Sequence, residues 1–214
     1  MALFRRRSQP IRVVVPTDTA LDDLRLVVEP LVVGGFLDYD EVLDAAREAG
    51  EDDGLDEQRV QALVQERWDS RLAEQSTWPS RTDSDRLDDA FAALEQQGIV
   101  ARMNFSCCQT CAPGEIAAEV GGPGRKQGYV YFHQQDGERI GEGAVLLGYG
   151  SLQGHYKGRK YDKAGFERAS REVAQAAVDA IEQQGLTVVW DGTTAKRILV
   201  TDLDWKRRLP ARPS

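Results

Sequence analysis

Leu94-Glu-Gln-Gln-Gly98-Ile-Val-Ala-Arg-Met-Asn-Phe105 is where the apolar period of this chain changes. Before Gly98, Leu87, Phe91 and Leu94 recur at the three- and four-residue spacing of a buried helix face. After it, Ile99, Ala101, Met103 and Phe105 alternate with Val100, Arg102 and Asn104, as in a half-buried strand. Glycine at the junction suits a left-handed helix stop. The chain therefore divides into a helical first half and a mixed second half.

Working back from this point, the spacing predicts four helices. Leu21, Leu24, Val27, Val28 and Leu31 form the first apolar stripe, with Pro30 expected to kink or divide it. Asp38 and Glu41 approximate a capping box for the second. The third runs from about Asp56 to Gln75 with Val60, Leu63, Val64, Trp68 and Leu72 facing inward, and the fourth is capped near Thr82 or Asp83. Working forward, a short helix is expected around Glu115 to Val120, then strands at Tyr129 to His133 and Ala144 to Gly150. A long helix from Lys163 to Gln184 is followed by a terminal hairpin, Leu186 to Trp190 with Arg197 to Leu203.

From Ile99 the order is strand, short helix, strand, strand, long helix, strand and strand. This predicts an α+β fold: a ferredoxin-like antiparallel or mixed sheet with helices on one face, preceded by an acidic helical region. The expected organisation is a basic N-terminus over 1–16, acidic helices over 17–82, an α+β sandwich over 83–205 and a basic tail over 206–214.

The net charge of −8 is unevenly spread. Pro16 to Gly98 holds 7 Lys/Arg against 22 Asp/Glu, a balance of −15, whereas Ile99 to Trp205 holds 12 against 13. Such a field repels phosphate backbones, so nucleic acid is disfavoured as a partner and a basic protein partner is favoured. The apolar run Ile11 to Val15 is too short for a secretory segment, and no stretch reaches membrane length. The three cysteines cluster in one place and cannot make a secreted disulfide framework, so a reducing cytoplasm is expected.

That cluster, Asn104-Phe-Ser-Cys-Cys-Gln-Thr-Cys111, is the most chemically pointed part of the chain. Continued alternation would turn Cys107 to the core, leaving Cys108 and Cys111 as a Cys-x-x-Cys pair able to share one metal or one disulfide. Zinc needs further ligands, and His133 with Asp136 at the end of the next strand are the candidates. The leading expectation is a structural zinc site of Cys108, Cys111, His133 and Asp136. An acidic interaction module and a thiol oxidoreductase are the alternatives, the latter because a Cys-x-x-Cys opening a helix has a lowered thiol pKa.

A second candidate is the loop before the long helix, where His155, Lys157, Arg159 and Lys160 suggest an anion-binding patch. Gly121 to Gly128 lacks the order of either nucleotide-binding glycine motif, and Gly150-Ser151 lacks the spacing of a nucleophile elbow. No catalytic constellation is apparent.

Trp78-Pro79, Arg86-Leu-Asp-Asp-Ala-Phe-Ala-Ala-Leu94, the cysteine run and Gly128-Tyr-Val-Tyr-Phe-His-Gln-Gln-Asp136 occur in this order. Together they resemble an uncharacterised bacterial family known only as a domain of unknown function, over about Leu21 to Trp205. The resemblance implies no activity, cofactor or catalytic residue.

Overall fold

A computed structural model describes residues 18–51, 54–107, 109–120 and 126–211. The helical half contains α1 (Asp18–Gly34), α2 (Tyr39–Glu51) and α3 (Glu57–Gln75). Leu24, Val28 and Val32 of α1 meet Val42 and Ala46 of α2 and Val60, Val64 and Trp68 of α3 in one buried core. Pro30 does not divide α1, which stays helical on both sides of it while its apolar stripe packs against α2 and α3. The capping box at α2 is reciprocal: the Asp38 N–H donates to Glu41 and the Glu41 N–H to Asp38.

In α3 the inward residue of the last turns is Arg71 rather than Leu72, which is 42% exposed. Arg71 donates to the Val33 carbonyl at 3.1 Å and stacks over the Trp78 ring, so the guanidinium is met on several sides. Long polar side chains are rarely buried without such partners.

α4 (Asp83–Gln96) opens on the Thr82–Asp85 capping box and leads through Gly98, at φ 80°, into β1 (Ile99–Arg102). There follow α5 (Ala112–Glu119), β2 (Gly128–Tyr131), a single helical turn α6 (Gln134–Gly137), β3 (Val145–Ser151), the small hairpin β4 (Tyr156–Lys157) and β5 (Lys160–Tyr161), α7 (Lys163–Gln183), β6 (Thr187–Val189) and β7 (Ile198–Thr201). Among the described residues the main sheet has the order β1-β2-β3-β7-β6. Only β1 and β2 are parallel; the other neighbours are antiparallel.

The α+β class and the mixed sheet follow the sequence pattern, but the ferredoxin-like strand order does not. A split arrangement would place another strand between β1 and β2. Here they pair directly, Ile99 with Gly128 through Arg102 with Tyr131, because the connecting α5 packs Ala112 and Ile116 onto Val100 and Tyr131 of those two neighbours. α4 and α7 cover one sheet face with the largest core, from Leu87, Phe91 and Leu94 to Ala177 and Ile181. α5 adds cover on the other face, over β1 and β2.

Candidate functional site

In a β-α-β unit the loops at the carboxyl ends of the parallel strands share one edge of the sheet, where side chains from separate motifs can meet. The loop after β1 holds the cysteines, and the loop after β2 holds His133 and Asp136. The backbone ladder carries on past the sheet to join them. Phe132 N–H donates to Arg102 O at 3.2 Å, Phe105 N–H to Phe132 O at 2.9 Å, and Gln134 N–H to Ser106 O at 3.1 Å.

Alternation nevertheless ends at Arg102. Asn104 and Ser106 take left-handed backbone angles, φ 48° and 63°, which reverse the chain locally. Asparagine tolerates this region better than most residues, and serine pays more for it. The consequence is a correction: Cys107, expected inside, is exposed. Cys111 is also exposed and occupies the N-cap position of α5, with Pro113 in the first turn. Cys108 lies outside the described residues. Tyr131 anchors the turn by donating from its hydroxyl to Gln109 O at 3.3 Å.

His133 and Asp136 are engaged with each other. His133 is the N-cap of α6: its Nδ1 accepts the Asp136 N–H at 3.2 Å, and its Nε2 lies 3.1 Å from Asp136 Oδ2. The neutral tautomer with the proton on Nε2 satisfies both contacts. Burial holds the His133 pKa below its ordinary value, outweighing the opposing pull of Asp136. Asp136 is further clamped by Arg197, whose Nη1 donates to Oδ1 at 3.2 Å and whose Nη2 meets Oδ2. Arg197 also reaches the Leu146 carbonyl, so the network ties α6 to β3 and β7.

The structure thus brings the two motif loops together by backbone, while His133 Nδ1 serves the cap and its Nε2 faces the Asp136 carboxylate. Among the described residues, no three His, Cys, Asp or Glu side chains are gathered as a metal-binding group.

The basic loop forms the β4–β5 hairpin, with Lys157 opposite Lys160. His155 Nε2 shares a hydrogen bond with Ser151 Oγ at 2.8 Å, and its ring meets Phe166 edge-on. Arg159 and Lys160 are exposed. The N-terminus of α7 already has a carboxylate cap, since Asp162 accepts the Gly165 N–H at 3.1 Å.

Sequence reasoning missed a cavity of about 210 Å³ beside the joined loops. Asn104, Gln134, Gly137 and Glu138 line one side, and Pro30, Leu31, Phe36 and Leu37 of the helical half line the other. The first four belong to or adjoin the two motif runs. That adjacency was the available signal, but the apolar wall comes from residues 67 or more positions earlier in the chain.

A family model described as a domain of unknown function, DUF6891, matches residues 17–209. The chain belongs to the DUF6891 family. The match takes in the helical half, both motif loops and the C-terminal segment, so the cavity and the cysteine turn lie within the DUF6891 region. Searches of curated proteins and of solved structures each found no match. No helix among the described residues of this DUF6891 chain is long and apolar enough to cross a membrane.

Proposed function

We propose that the cysteine turn of this DUF6891 chain is a thiolate metal site, that zinc is its best-matched ion, and that its role is structural. The observation that carries this reading is the exposure of Cys107 and Cys111 on one turn, since exposed thiols can ionise and reach a shared ion. Cys107 takes the place first expected of His133, whose ring nitrogens are held in the α6 cap. With Cys108, which lies outside the described residues, the sequence offers a Cys-Cys-x-x-Cys ligand set, and a closed structural site would take its fourth ligand from a further side chain. The positive end of the α5 dipole supports thiolate charge at Cys111. Zinc here would brace the β1–α5 connection.

Metal analysis of untagged protein from zinc-replete medium tests this reading. About one equivalent of zinc is expected, and the Cys107→Ser, Cys111→Ser double variant should lose it and unfold at a lower temperature. Zinc below about a tenth of an equivalent would sink the proposal. Thiol redox chemistry is the second reading, favoured by Cys111 opening α5. Insulin disulfide reduction abolished by Cys111→Ser would favour it over zinc.

A further inference from the structure

The cavity lies at the seam of the two halves, and no cysteine is among its described lining residues. Its floor is apolar, formed by Leu31, Leu37 and the ring of Phe36. Its opposite wall carries Asn104, Gln134 and Glu138. Backbone geometry shapes the Asn104 part of this wall. Asn104 holds a left-handed conformation, and a Cβ at Gly137 would lie only 2.4 Å from Asn104 Oδ1, so the missing Cβ makes room for that amide.

Glu138 is the charged side chain among the described residues that line the cavity. Glu138 is exposed and has no ion pair with any described cation. The nearby cations are committed elsewhere: Arg139 to Glu142 at 3.1 Å, and Arg207 to Asp88 at 2.9 Å with its guanidinium over Phe36. The helical half adds an acidic field. A carboxylate, two amide side chains and an aromatic floor together suit a cation with an apolar body.

We propose that this cavity binds a small organic amine, its ammonium paired with Glu138 and the amides of Asn104 and Gln134, and its aromatic or branched aliphatic body against Leu31, Phe36 and Leu37. The volume of about 210 Å³ falls below the roughly 300–1,000 Å³ of drug-sized pockets, which sets the ligand at metabolite size.

Isothermal titration of the full chain with phenethylamine tests the assignment, beside the neutral phenylethanol and the anionic phenylacetate. The amine should bind at a single saturable site, about tenfold or more tighter than either analogue. Glu138→Gln should remove that preference, and Ala45→Leu, which fills the cavity, should abolish binding. Glu138 is exposed, so its variant keeps the fold and carries the test by itself. No saturable amine binding, equal affinity for the three probes, or amine binding indifferent to Glu138→Gln would overturn the proposal.

Discussion

His133 shows how one side chain can be diverted from the chemistry its neighbours suggest. A histidine within reach of a cysteine run reads as a ligand, but here its Nδ1 serves the Asp136 N–H and its Nε2 faces the Asp136 carboxylate. Its folded-state pKa lies below the ordinary 6.5, chiefly through burial. Below that value the unfolded chain takes up a proton that the folded chain resists, so stability falls as pH drops from about 7 towards the folded-state pKa. Thermal melts between about pH 7.5 and 5.5 should show this decline, and His133→Asn, which keeps a capping side chain, should flatten it. An unchanged slope in the variant would place the titration elsewhere. Neither the burial of His133 nor the exposure of Cys107 was legible in the sequence. The exposure of Cys107 follows from the left-handed residues Asn104 and Ser106, which break the alternation expected after β1.

At the scale of the elements, β1 is one of the two edges of the main sheet, β6 being the other. Open edges invite pairing with other chains. Ala101 has its outward N–H bound by Glu95 Oε1 at 2.9 Å and its carbonyl by Arg102 Nη1 at 2.8 Å. Burial raises the Glu95 pKa, but the Ala101 N–H, Arg102 and Lys126 outweigh it and hold the carboxyl below its ordinary range. Glu95→Ala should cost about 1–3 kcal/mol by leaving the Ala101 N–H unmet, whereas Glu95→Gln keeps an acceptor and should cost less. Urea denaturation measures the difference, and sedimentation should show the Ala variant associating more readily. The elements themselves were largely legible: α3, α4, α7 and the β6–β7 hairpin follow helical or alternating spacing and capping residues. The pairing of β1 with β2 was not, since nothing local to either strand specifies its neighbour.

Across the whole molecule the two halves are joined by the segment after β7. Trp205 belongs to the sheet core and Leu209 to the helical core. The indole of Trp205 donates to Gly34 O at 3.2 Å, Ser84 Oγ to Lys206 O at 3.0 Å, and Leu209 N–H to Gln75 Oε1 at 2.8 Å. Arg207 and Arg208 pair with Asp88 and Asp85 of α4, so opposite charges reinforce the same seam. Trp205→Ala should cost about 3–5 kcal/mol, the usual range for losing a buried large aromatic. It should also separate the unfolding of the two halves, seen as non-coincident circular dichroism and fluorescence transitions; a single coincident transition at the wild-type midpoint would refute this linking role.

The sequence by itself determined the class of fold, the helix caps, the change of period at Gly98 and the acidic character of the first half, because each depends on spacing or composition within a few turns of chain. Only the tertiary structure decided the direct β1–β2 pairing, the outward turn of Cys107, the inward engagement of His133 with Asp136 and Arg197, and the cavity walled by Phe36 and Asn104. Those features join residues tens of positions apart. They depend on which surfaces pack together, and local propensity carries no record of that.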